Sequence, residues 1–238
     1  MILDSKASDE QFAAALDCGA DALLVRLGPC AEDAARRSAR ARACALINAA
    51  RGKRAAPKLF VDVAPLDSEL VDADLDALFG PGPGGVFLPS FDGAASLQRM
   101  AVKLAVREAQ AGLADGATRI GAFVGGDPAG VLALQALAGA SPRLAALAFD
   151  DAGLRAALGL ACDDGAAIQM ARAAVVLAAA SAGVAALAAP VQSGEEHAFT
   201  AARRDGFRGA MALFPGQIAA IHGVFPAGEN RQRPQSPA

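Results

Sequence analysis

RIGAFVGGDPAGVLAL (residues 119–134) and SPRLAALAFDDAGLRAALGL (residues 141–160) carry the same design twice. Each opens on a short apolar run, Arg119–Val124 in one and Leu144–Phe149 in the other. Each breaks at glycine or aspartate, and apolar residues then recur at helical spacing over Ala129–Ala138 and Ala152–Leu158. A short, nearly all-apolar strand followed by a helix is the unit of a parallel sheet covered by helices.

The same alternation extends in both directions. Strands are expected at Ile2–Leu3, Ala22–Leu27, Lys58–Val63, Gly85–Leu88, Val184–Ala188 and Ala210–Leu213. The remaining helices are expected at Asp9–Asp17, Ala31–Ala50, Glu69–Phe79, Ala94–Ala111, Gly165–Ala182, Glu195–Arg204 and Pro215–Val224. Eight strands separated by helices fit an α/β TIM (β/α)8 barrel, with a flat doubly wound sheet as the rival. Gly19, Gly139 and Gly183 follow helical runs, as C-terminal caps do. Asp9 and Asp92 are candidate N-caps, and Pro215 suits a first helical turn. No linker divides the chain, so residues 1–225 are expected to form one TIM-barrel domain and residues 226–238 a disordered tail.

Composition narrows the function. The 238 residues carry a net charge of −3, with 54% hydrophobic and 5% aromatic residues, two histidines, and no Trp or Tyr. The mildly acidic balance argues against a nucleic-acid partner. The most apolar stretch, Ala166–Pro190, is Ala-rich and contains Arg172, so it reads as a buried helix and strand and not as a membrane span. The N-terminal MILDSKASDEQF has acids where a signal peptide needs a basic region. Cys18, Cys30, Cys44 and Cys162 are scattered without ligand spacing, which fits a reduced, cytoplasmic protein.

Chemistry in a barrel belongs at the C-terminal ends of the strands. No His-x-His, HExxH or CxxC pair offers a zinc site. GPGPGG at 80–85 lacks the Lys-Ser/Thr of a P-loop, and the later glycines make no dinucleotide fingerprint. Asp150 and Asp151 are the best acidic pair, read either as Mg²⁺ ligands or as a helix N-cap beside a solvated acid. Arg26, in ALLVRLGP, and Asp62, in KLFVDVAP, end their strands at similar places. They read as an ion pair, as separate solvated charges, or as a substrate clamp through Arg26. His222 reads as a packing or interface residue and His197 as a helix-surface residue. Ser90, Ser193 and Cys30 have no visible base nearby, which speaks against a hydrolase triad or covalent catalysis.

DEQFAAALDCGADALLVRL (9–27), GPGGVFLPS (82–90), the two stretches quoted first, ARAAVVLAAASAG (171–183) and DGFRGAMALFPGQIAAIHGVF (205–225) stand in an order and spacing that resemble the HpcH/HpaI aldolase/citrate lyase family, on its citrate lyase beta subunit-like branch. The resemblance implies a TIM barrel that assembles as a homo-oligomer (dimer, trimer or hexamer). It also implies Mg²⁺-dependent carbon–carbon or thioester chemistry on a small carboxylic acid or acyl-CoA.

At the positions that carry this chemistry the chain departs from the family pattern. The acidic motif after the second strand is Arg26, Leu27, Gly28 and Pro29, and the arginine of the third strand is Asp62. The lysine after Leu-Pro is Ser90, the metal-binding Glu of the fifth strand falls on Gly126, or on Gly125 if the turn is shifted, and the Glu-Asp metal pair falls on Ala152 and Gly153. The histidine before Pro-x-Gln is Phe214. Gly19, Ala20, Asp21, Leu88, Pro89, Arg172, Gly206, Phe207, Pro215 and Gln217 are kept, mostly as scaffold. Two readings follow. One is a catalytically degenerate member with a structural or regulatory role and no cofactor. The other is a divergent lyase or aldolase that holds Mg²⁺ on Asp150 or Asp151 and a carboxylate on Arg26 or Arg155, with Ser90 also at the substrate.

Overall fold

The structure is a computed structural model that describes residues 1–28, 34–51, 53, 56–80, 82–161, 165–192 and 195–226. Cys30, Cys162, Ser193 and the expected tail from residue 227 onward lie outside the described residues. The strands are β1 (Ile2–Asp4), β2 (Ala22–Arg26), β3 (Lys58–Asp62), β4 (Gly85–Leu88), β5 (Arg119–Val124), β6 (Leu144–Phe149), β7 (Ala185–Ala188) and β8 (Gly209–Ala210). The helices are α1 (Asp9–Asp17), α2 (Ala34–Arg51), α3 (Leu70–Phe79), α4 (Ala94–Gln110), α5 (Pro128–Ala133), α6 (Asp151–Leu158), α7 (Ala166–Ser181), α8 (Glu195–Arg204) and α9 (Gln217–Val224). A 3₁₀ turn, Leu134–Leu137, continues α5. None of these helices is long and apolar enough to cross a membrane.

All eight strands are parallel and follow chain order from β1 to β8. The sheet is an open, strongly curled half-barrel, which corrects the expectation of a closed (β/α)8 TIM barrel. Among the described residues no ladder joins β8 to β1. One backbone hydrogen bond crosses that seam, from the Ile2 amide to the Ala212 carbonyl at 2.7 Å. The reason is local. β8 is two residues long and pairs only with Leu187 and Ala188 of β7. β1 is three residues long and pairs with β2. Counting eight strand candidates fixes their order but not whether the two shortest meet.

Alternation along the strands makes two apolar layers. Residues such as Leu23, Val25, Val61, Val86, Ile120 and Leu147 face the helices in the main core. Leu24, Phe60, Phe87, Ala148 and Met211 face inward and form a second cluster. Two glycines make room for its aromatic rings. A Cβ on Gly85 would overlap the Phe60 ring, and one on Gly121 would overlap the Phe87 ring. Each phenylalanine thus lies over a glycine of the next strand, and Phe87 stands edge-on to Phe60 at 6.0 Å.

Several helix starts differ from expectation. Ser8, not Asp9, caps α1, in a reciprocal capping box with Gln11. α4 starts at Gly93 without a side-chain cap from Asp92, and α9 starts after Pro215. Asp127 caps α5, with Pro128 at its first position. The retained Arg172, Gly206 and Phe207 come together in packing. The Arg172 guanidinium lies 5.2 Å from the Phe207 ring and pairs with Asp205 at 3.0 Å.

Candidate functional site

The C-terminal strand ends form the candidate site. On the β2–β3 side, parallel register carries Arg26 and Asp62 to the inward face one step beyond the Val25–Val61 pair. Arg26 Nε donates to Asp62 Oδ2 at 3.3 Å, and the Leu27 amide donates to Asp62 Oδ1 at 2.6 Å. The pair is asymmetric: the Arg26 side chain is 54% exposed and that of Asp62 12%. Burial pushes the Asp62 carboxyl above its ordinary pKa, while the Leu27 amide and Arg26 only partly oppose the shift. Both of its oxygens are therefore engaged by its own chain.

Behind this pair lies a cluster that sequence reading did not single out. Asp74 of α3 is fully buried and accepts from Arg36 at 3.1 and 2.5 Å, from Arg40 at 2.7 Å and from the Ala64 amide at 2.8 Å. Arg36 also donates to the Gly28 carbonyl, just past β2, at 3.2 Å. The sequence held a signal for it. Asp74 falls on the apolar stripe of α3 with Val71, Leu75 and Leu78, where an acid needs a partner.

On the β5–β6 side, Asp150 and Asp151 diverge. Asp150 caps α6, its Oδ1 accepting from the Gly153 amide at 3.0 Å. Its other oxygen fills the hollow between two glycines. A Cβ on Gly126 would lie 2.7 Å from Asp150 Oδ2, and one on Gly153 would lie 2.5 Å from it. Asp151 turns along the helix to Arg155, 3.7 Å away, and burial pushes its carboxyl up against the pull of Arg155. The Nε atom of Arg155 is buried without a hydrogen-bond partner. Ser90 is exposed after β4. Phe214 stands exposed after β8. Gln217 is buried and ties two strand exits together, accepting from the Leu213 amide at 2.7 Å and donating to the Val191 carbonyl at 2.8 Å.

Magnesium needs several oxygen ligands in near-octahedral geometry. Among the described residues no group of three or more His, Cys, Asp or Glu side chains could hold a metal. Among the described residues, Asp62, Asp150 and Asp151 are each turned to a different partner and do not converge on such an ion.

Comparison with known proteins agrees with this architecture. Malate synthase from Haloferax volcanii in its magnesium/glyoxylate complex superposes with a TM-score of 0.79 at 17% identity, covering 100% of this chain and 76% of that one. The citrate lyase beta subunit from M. tuberculosis, complexed with oxaloacetate and magnesium, gives a TM-score of 0.73 at 21% identity, covering 95% of each chain. RipC from Yersinia pestis gives a TM-score of 0.73 at 25% identity, covering 94% of this chain and 92% of that one. No curated protein matches the sequence. The family model described as HpcH/HpaI aldolase/citrate lyase matches residues 5–212, and the chain belongs to that family.

Proposed function

We propose that this chain is a catalytically degenerate member of its family with a structural or regulatory role, and that it uses no metal cofactor. The observation that carries this reading is the Asp150 carboxylate lodged between Gly126 and Gly153. Those glycines stand where the family resemblance expects acidic metal ligands. The acid that remains nearby serves as a helix cap, and its free oxygen fills the space that those side chains would need. Arg26 and Asp62, a reversal of the expected charges, pair with each other through Arg26 Nε.

The structural part of the reading takes a second copy of the chain as the partner. Ala166, Met170, Ala173, Leu177 and Ala180 are exposed along one stripe of α7 at alternating four- and three-residue spacing, the seam pattern of paired helices. Light scattering on Leu177→Glu tests this: a smaller particle than wild type is expected, and an unchanged mass contradicts it.

Calorimetric titration with Mg²⁺ and Mn²⁺, with and without oxaloacetate and acetyl-CoA, tests the chemical part. No saturable heat is expected. Saturation at one ion per chain that disappears in Asp150→Ala or Asp151→Ala would overturn the reading in favour of a divergent lyase.

A further inference from the structure

At the opposite end of the sheet, the N-terminal ends of the strands enclose a cavity of about 580 Å³ bounded by β2, β8 and α9. Its walls reach the inward cluster at Leu24, Phe60 and Phe87 and continue over Leu187. The volume lies within the range of small-ligand sites, and an apolar wall with a few polar groups is their usual composition. It adjoins the seam where β8 and β1 form no ladder among the described residues.

Three charged or ionisable side chains line it: Arg208, Asp21 and His222. His222 Nε2 lies 3.4 Å from Asp21 Oδ2, so those two face each other. The Arg208 guanidinium, just before β8, is exposed and has no hydrogen-bond or ion-pair partner among the described residues. A guanidinium at the edge of an apolar chamber offers a bidentate seat for a carboxylate whose hydrocarbon portion lies inward.

We propose that this chamber binds an alkyl monocarboxylate, with its chain against Phe60, Phe87 and Leu187 and its carboxylate on Arg208. The site is remote from the C-terminal strand ends and independent of whether chemistry survives there. Neither the packing of the mouth nor the helix caps use Arg208 or the cavity wall formed by Phe60, Phe87 and Leu187, whereas a bound amphiphilic acid uses both.

Sodium octanoate titrated into the full chain tests the assignment, with 1-octanol as the uncharged comparison. Calorimetry is expected to give saturable binding at one octanoate per chain, with octanol weaker. Arg208→Gln, a change at an exposed side chain, is expected to weaken octanoate about tenfold or more and leave octanol unaffected. The chain has only two histidines, so NMR locates the site. The His222 ring signals are expected to move with octanoate while those of His197 stay in place. Absence of saturable binding, equal affinity for octanol, an unchanged Arg208→Gln or a stationary His222 would each overturn the proposal.

Discussion

Glu108 at the base of the sheet and Asp62 at its mouth are both buried carboxylates, and their environments push them in opposite directions. Burial opposes the charge on Glu108. Hydrogen bonds from Arg143 and from the Thr118 and Gly116 amides more than offset it and hold the carboxyl below its ordinary pKa. Asp62 meets the same cost with one backbone amide and an arginine whose side chain is half in water, and its carboxyl stays above the ordinary value. Partner saturation decides the sign. The base invests its buried charge in holding the α4–β5 connection and the start of β6 together. The mouth retains acidic groups, and Asp62, Asp150 and Asp151 each turn to a partner in their own chain.

The comparison is tested hardest where saturation is greatest. Asp74→Ala leaves Arg36 and Arg40 without their shared carboxylate and is expected to cost about 3–5 kcal/mol in urea unfolding. A cost below about 1 kcal/mol would show that these guanidiniums do not depend on Asp74.

Glu108→Gln is next. It removes the charge facing Arg143 but keeps an acceptor, and a loss of about 2 kcal/mol at pH 7 is expected. Because the folded pKa of Glu108 is lowered, its contribution is present above the ordinary glutamate pKa of about 4.3 and is lost as pH falls through the folded value. The penalty of the variant is therefore expected to shrink in acid.

Asp62 carries the opposite sign. Its folded pKa is raised, so its stabilising contribution is complete below the ordinary aspartate pKa of about 3.9 and is lost as pH rises through the folded value. Asp62→Asn keeps an acceptor for the Leu27 amide and is expected to change stability by less than about 0.5 kcal/mol at pH 7, improving relative to wild type as pH rises. Asp62→Ala orphans that amide and is expected to cost about 1–2 kcal/mol. Equal losses for the two variants would mean that the charge, not the hydrogen bond, matters at the mouth.

Periodicity made most elements legible. The bounds of β4, β5, β6, α1 and α8 match the sequence expectation, because each is a short apolar run or an amphipathic stretch closed by Gly, Pro or a capping residue. Closure was not legible. It depends on whether Gly209–Ala210 can reach Ile2–Asp4 across the curled sheet, a long-range geometric condition with no local pattern. At the site, the pairing of Arg26 with Asp62 could be anticipated only as one of three readings, because parallel register alone brings strand ends together without fixing side-chain geometry. The lodging of Asp150 over Gly126 was hidden further, since it arises from two loops twenty-four positions apart that meet after folding. Arg36, Arg40, Asp74 and Glu108 were detectable in principle as charges on apolar helix stripes, whereas Arg143, in the turn before β6, carried no such signal.

The proposal that matters most is that the mouth binds no metal ion. Electron paramagnetic resonance of Mn²⁺ titrated into the full chain, with oxaloacetate present, reads this most directly. The account predicts that the free Mn²⁺ signal grows in proportion to added metal, as in buffer. Loss of one equivalent of that signal per chain, restored by Asp150→Asn, would contradict it.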